Sequence, residues 1–240
     1  MNKSSSFFMS LAALILSIVA IVLCIVCCHK NKNGDIEEAL KQKPEMVVNA
    51  IQQYEQNMRD QAAAEVKKLV QANLADLQND SATPFVGPED AKVTVVEFFD
   101  YSCGYCHRLF PELKSVMAAN PDVKFVFKPL TFLGDVSLAA AKASMAAAKQ
   151  GKFAQMHNAL FESSDRLTKE KIRAIAQEQG LDMSKFDADV ESADISKFLD
   201  SVSALASKIQ VNGVPVMFVN GNMLQTLDGK DIQSAINNNK

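Results

Sequence analysis

Residues 92–101, KVTVVEFFDY, are β-branched and aromatic and read as a strand. Almost all are apolar, as in a strand covered on both faces. With no linker the pattern changes to CGYCHRLFPELKSVMAAN, where Leu109, Leu113 and Met117 fall at helical spacing. Cys103 and Cys106 therefore lie at a strand-to-helix junction, with Cys103 at or near the helix start. Residues 123–130, VKFVFKPL, form a second strand, and from about Ser137 to Ser207 the pattern is helical throughout. VPVMFVNG, 214–221, reads as a strand with Pro215 at its mouth, NMLQTLDG as its hairpin partner and KDIQSAINNN as a closing helix. The order β-α-β, helices, β-β-α predicts an α/β or α+β sheet with helices on both faces.

Two cysteines spaced CxxC can clip a metal, form a structural bridge or exchange disulfides. The chain has five cysteines, and Cys24, Cys27 and Cys28 lie in an N-terminal apolar run. Cys103 and Cys106 have no third thiol beside them, which rules out a structural disulfide framework. Zinc takes four ligands, commonly two CxxC pairs or one CxxC with two histidines. Beyond the first 34 residues only His107 and His157 are available, so no metal is expected. His107 reads as an exposed helix residue and His157 as a surface or half-buried one, neither with a catalytic role.

Redox exchange fits better. A cysteine at a helix N-terminus faces unpaired N–H groups and the positive dipole end, which favour a thiolate. A second cysteine one turn on closes a ring that reopens readily. Glu97, in an otherwise apolar strand, is either an edge carboxylate facing water or a buried acid that moves a proton to or from Cys106. Pro111 is expected to kink its helix, and Val214–Pro215 is a candidate cis peptide.

Residues 7–28, FFMSLAALILSIVAIVLCIVCC, are 22 residues interrupted only by Ser10 and Ser17. About 20 apolar residues cross a bilayer, whereas a secretory signal has an apolar region of about 7–15 and a small-residue cleavage site. The segment is expected to be an uncleaved anchor, with cleavage or lipidation as alternatives. Residues 35–78 are helical around a break at Pro44, and Val47, Ile51, Tyr54, Met58, Ala62, Val66 and Leu69 share one face. Such a stripe needs a partner, either its own domain or another chain. Residues 79–90, NDSATPFVGPED, read as a linker. Composition, 48% hydrophobic and 22% charged, fits a globular core. Residues 1–34 carry three lysines and no acid, so the remainder holds 22 basic against 28 acidic side chains, which argues against a nucleic-acid partner.

Together, VVEFFDYSC, CGYC, a helix with Pro111 and the later GVPVMFVNG resemble the DsbA-like branch of the thioredoxin superfamily over about residues 85–240. The helical block at 137–207 resembles the helical insertion of that branch. The resemblance implies a thioredoxin fold, Cys103 as the attacking and Cys106 as the resolving cysteine, cis Pro215 against the sulfurs, and Glu97 as the family's buried acid. No cofactor beyond the Cys103–Cys106 pair is implied. The inner dipeptide Gly104-Tyr105 is that of the isomerase DsbC where the oxidase DsbA has Pro-His, while Val214 before the proline is as in DsbA. The N-terminal helices resemble those of ScsC-like proteins, where they join chains as dimers or trimers.

The resulting expectation has three parts: a signal or membrane anchor at 1–34, a helical oligomerisation segment at 35–80, and a thioredoxin-like catalytic domain at 81–240. The expected activity is envelope thiol:disulfide exchange, both oxidase and isomerase, with a dedicated oxidase or a holdase chaperone as alternatives. Expected partners are unfolded or misoxidised exported proteins, a DsbB-like or DsbD-like membrane redox protein, and a second copy of the chain in a homodimer, alternatively a homotrimer. The expected place is the bacterial periplasm or envelope, anchored by residues 7–28.

Overall fold

The computed structural model describes residues 16–27 and 38–240. It divides into two units, split between Ala62 and Ala63. In the first unit, residues 16–27 are helical and exposed. Residues 38–42 form a short helix that stops before Pro44, and α1 (Glu45–Ala72) starts immediately after it. Proline is accommodated there because the amides of a first turn need no intrahelical partner. Met46, Val47, Val48, Ile51, Tyr54 and Met58 of α1 are all exposed. Among the described residues no helix is long and apolar enough to cross a membrane. The expected span at 7–28 is described only over 16–27. The rest of it, and most of the 1–34 anchor, lies outside the described residues.

The second unit takes over the end of α1. Val66 packs on the core, Val70 and Leu77 are buried in it, and Leu77 belongs to α2 (Leu74–Gln78). The compact unit therefore begins at Ala63, inside the helical segment expected at 35–80, because the last turns of the stripe find a core to bury against. The region read as a linker holds a short strand, β1 (Phe85–Val86), paired antiparallel with β3 (Lys124–Pro129). Turn residues on both sides of it had masked two residues of pairing.

Five strands form one sheet in the order β1-β3-β2-β4-β5, with β2 (Thr94–Phe99) central. β2 runs parallel to β3 and antiparallel to β4 (Val216–Val219), which turns into β5 (Asn222–Met223). All six residues of β2 are buried, as its unbroken apolar run requires. In register, Glu97 lies between Phe127 and Met217, and Phe98 lies beside Lys128. Phe98, Phe99, Phe127 and Phe218 are at most 1% exposed, and each contributes about 1.5–3 kcal/mol by burial. Only Asn222–Met223 of the expected second hairpin strand pairs; the rest leads into α9 (Gly229–Asn237).

Between the sheet halves run α3 (Gly104–Ala119) and a block of five helices, α4 (Asp135–Lys149), α5 (Phe153–Glu162), α6 (Lys169–Glu178), α7 (Met183–Val190) and α8 (Ala193–Lys208). Their ends follow from local chemistry. Thr168, Asp182 and Ser192 cap α6, α7 and α8 by accepting from the first-turn amides. Gly151 and Gly180, both at φ 69°, end α4 and α6. In each case the next amide reaches back five residues, Lys152 to Ala147 and Leu181 to Ala176, the pairing a left-handed glycine makes possible. α3 continues through Pro111.

Candidate active site

Strand β2 delivers its last residues into a tight turn that starts α3. Asp100 is fully buried and organises it. Its carboxylate accepts from Ser102 N at 2.8 Å and from Leu133 N at 3.3 Å, and its carbonyl accepts from Cys103 N at 3.0 Å. Cys103 is the N-cap of α3, with extended backbone (φ −83°, ψ 116°), and its carbonyl accepts the first helical bond from His107 N. Gly104, Tyr105 and Cys106 form the first turn, whose amides have no intrahelical partner, and the Cys103 side chain makes no cap hydrogen bond to them.

Both cysteines are free thiols, Cys103 7% and Cys106 1% exposed. Cys103 Sγ donates to the carbonyl of Val214 at 3.5 Å. The following peptide, Val214–Pro215, is cis. The structure thus brings Cys103, Cys106, Val214 and Pro215 into one site from positions more than a hundred residues apart. Tyr105 stands out into solvent at 68% exposure, with the Arg108 guanidinium 4.2 Å from its ring centre. Gly104 is open, with no atom within 4 Å of where a Cβ would stand.

Glu97 is the buried acid and not an edge carboxylate. It is 4% exposed, its Oε2 has no partner among the described residues, and burial pushes its carboxyl up to about 8. Burial likewise pushes the Cys106 thiol well up; the charge of Glu97 and the Cys103 sulfur add to this, and a backbone hydrogen bond at Asp100 opposes it. Cys106 and Glu97 are therefore electrostatically coupled, and both hold their protons near neutrality.

The family model described as thioredoxin matches residues 78–238, two thirds of the chain. The chain belongs to the thioredoxin family. Its fold is also that of the thiol-disulfide exchange protein alpha-DsbA2 from Wolbachia pipientis, 22% identical with a TM-score of 0.68, covering 74% of this chain and 97% of that one. The solved thioredoxin-like oxidoreductase from Silicibacter pomeroyi is 34% identical with a TM-score of 0.65, covering 68% of this chain and 95% of that one. BcfH of Salmonella enterica Typhimurium is 27% identical with a TM-score of 0.74, covering 89% and 97%. A Salinispora tropica protein named as the Na(+)/H(+) antiporter NhaA 3 is 35% identical over 140 residues, 56% of this chain. The chain spans about a fifth of the length of such curated relatives.

In this thioredoxin-family site the two histidines stand differently from the expectation. His157 is not a surface or half-buried residue but 1% exposed, enclosed by Phe99, Phe127 and Phe153 with ring centres 4.7–5.2 Å away. Burial pushes it down to about 3. His107 is half-buried, held by two carbonyl oxygens. Reading each histidine alone hid this. Phe153, His157 and Phe161 recur every four residues, one helix face, and Glu97, Phe99 and Tyr101 alternate along one strand face. Those two periods carry the signal that places His157 and Tyr101 beside the site.

Proposed function

We propose that this chain is a thiol:disulfide oxidoreductase of the bacterial envelope that forms and rearranges disulfides in exported proteins. The observation that carries the reading is Cys103 at the N-terminus of α3, against the Val214–Pro215 cis peptide, with a buried Cys106 coupled to the unpartnered acid Glu97.

The chemistry follows from those positions. In the oxidising direction Cys103 and Cys106 begin as a disulfide. A client thiolate attacks Cys103 Sγ, the Cys103–Cys106 bond breaks, and Cys106 leaves as a thiolate that takes the proton of the Glu97 carboxyl. A second client thiolate then attacks its own sulfur in the mixed disulfide, and Cys103 leaves as a thiolate stabilised by the helix amides. The client has lost two electrons and the site has gained them. For rearrangement Cys103 starts as the thiolate, attacks a wrong client disulfide and is released by another client thiol, with no net electron transfer. Once Glu97 has given up its own proton to water, its carboxylate takes the Cys106 thiol proton, and the Cys106 thiolate attacks Cys103 Sγ and releases the client of a stalled mixed disulfide.

Three further features support the wider reading. The apolar run at 7–28 and disulfide chemistry both belong at an oxidising envelope. The exposed apolar residues of α1 between Met46 and Met58 fit a second copy of the chain, as a homodimer or alternatively a homotrimer, which would set several sites around one client. A DsbB-like or DsbD-like membrane protein would reset the pair.

Cys103→Ala is expected to abolish rescue of scrambled ribonuclease, and full activity in that variant overturns the reading. Thiol trapping in cells separates the functions: a mostly oxidised pair supports the oxidase alone, a reduced or mixed pair supports isomerisation.

A further inference from the structure

Tyr101 lies two residues before Cys103 and is 1% exposed. Its carbonyl and its hydroxyl each meet a histidine, and the hydroxyl also shares a side-chain hydrogen bond with Ser144 of α4. Its hydroxyl is 3.0 Å from His157 Nδ1, and its carbonyl accepts from His107 Nε2 at 2.8 Å. His107 Nδ1 lies 3.1 Å from the carbonyl oxygen of Phe161. His157 and Phe161 both belong to α5, and the Phe161 ring stacks on Phe110 of α3 with centres 4.9 Å apart. The helical block therefore grips the backbone and the side chain of the residue that leads into the CxxC turn.

The imidazole of His157 is an expensive occupant of an aromatic cage. Its Nε2 has no partner among the described residues, and an unsatisfied buried nitrogen costs stability that an apolar side chain of similar shape would not. Of its two ring nitrogens, the one with a use is Nδ1, at Tyr101. His107 is similarly specific: each of its bonds goes to a carbonyl oxygen, and the shorter one goes to Tyr101.

We propose that α5 sets the redox preference of the Cys103–Cys106 pair through Tyr101, with His107 and His157 as positioning residues that hold its carbonyl and its hydroxyl. The proposal rests on the exchange reading of the site. Its sign follows from what ring closure needs. The Cys103 and Cys106 side chains already lie in hydrogen-bond contact across the turn, and Asp100, the Cys103–Val214 contact and the two histidine anchors help to hold that geometry. Ordering a turn before its ends are joined lowers the entropy cost of joining them. The anchors thus favour the disulfide, and their loss makes that disulfide a stronger oxidant.

The test equilibrates the full chain with mixtures of reduced and oxidised glutathione and measures the dithiol-to-disulfide ratio by thiol trapping. Tyr101→Phe, which removes only the hydroxyl, and His157→Leu are each expected to shift the equilibrium constant about three- to tenfold toward the dithiol, the worth of one buried hydrogen bond. Tenfold corresponds to about 30 mV for this two-electron couple. The double variant is expected to shift no further than the larger single, since both remove the same bond. His107 provides the sharper arm. Gln places an amide nitrogen where Nε2 stood, so His107→Gln is expected to stay within about twofold of the parent, whereas His107→Asn and His107→Leu shift like Tyr101→Phe. Parent-like equilibrium constants in variants that merely unfold at lower urea overturn the proposal, as does a shift toward the disulfide or identical behaviour of the Gln and Asn variants. If His157→Leu does not fold, Tyr101→Phe decides that arm. A parent chain that forms no Cys103–Cys106 disulfide in any glutathione mixture overturns the exchange reading and this inference with it. A parent that exchanges beside unshifted variants overturns this inference alone.

Discussion

Glu97 of β2 and Lys128 of β3 are both buried, 4% and 1% exposed, on neighbouring strands of one sheet. Lys128 lies beside Phe98 in register, so it points to the face opposite Glu97. There it donates to Thr83 Oγ1 at 2.9 Å, with Asp80 at 3.8 Å. Burial lowers its amine to about 8, opposed by the charges of Asp80 and Asp76. Glu97, in contrast, has an oxygen without a partner and a carboxyl raised to about 8 by burial alone. The lysine is compensated and ties the segment after α2 to the sheet. The acid has an oxygen without a partner among the described residues, and its charge acts on Cys106. Burial of a charge alone therefore does not single out a candidate site group here.

The largest expected effect that tests this contrast is Glu97→Gln. The folded carboxyl keeps its proton between about 4.5 and 8 while the unfolded one loses it, so the native state loses stability as pH rises through that window. Each unit is worth about 1.4 kcal/mol. At pH 7–8 the substitution is expected to raise stability by about 3–4 kcal/mol, to flatten the dependence on pH in urea unfolding, and to slow resolution of mixed disulfides. A variant no more stable than the parent at pH 8 breaks the contrast.

Lys128→Ala is expected to do the reverse, costing about 2–3 kcal/mol at pH 7 by removing the buried side chain with its bond to Thr83 and its ion pair with Asp80, which keep only their bond to each other and the Ala82 amide. It should leave the glutathione equilibrium of the cysteines unchanged. A shifted equilibrium would mean that both faces of the sheet feed the site.

His157 comes next. Its folded value, about 3, lies below the usual 6.5 of an unfolded histidine. The unfolded chain therefore binds a proton first, and stability is lost as pH falls through about 6.5 toward 3. Lowering pH from 6.5 to 5 is expected to remove about 2 kcal/mol by this route. That loss should vanish in His157→Leu when measured against the same variant at pH 7.

The smallest effect on fold stability is expected at Ile51, 53% exposed on α1. Ile51→Lys should change unfolding of the second unit by less than about 0.5 kcal/mol. In light scattering it should convert an assembled chain to a monomer, and an unchanged mass breaks the proposed role of that face.

Much of this was legible in the sequence because it is local. The change from a continuous apolar run to helical spacing located β2, α3 and the CxxC between them, and the apolar-to-turn contrast located β3 and β4. Cys103 at the helix start followed from the same junction. Other elements were not legible for a physical reason. β1 is two residues whose pairing with Val126 and Phe125 repays ordering that its own turn-rich surroundings do not favour. His157 looks like any polar helix residue until the rings of β2, β3 and α5 close round it.

Residue order alone determined that an α/β sheet would carry a cysteine at a helix N-terminus, since strand period and helix period are properties of a short stretch of chain. Only the tertiary structure decided which face each β2 residue turns to, that one Glu97 oxygen has no partner among the described residues while Lys128 has two, and that Tyr101 is gripped by α5. Desolvation and hydrogen bonding depend on what the rest of the chain packs against a side chain, and no local pattern contains that.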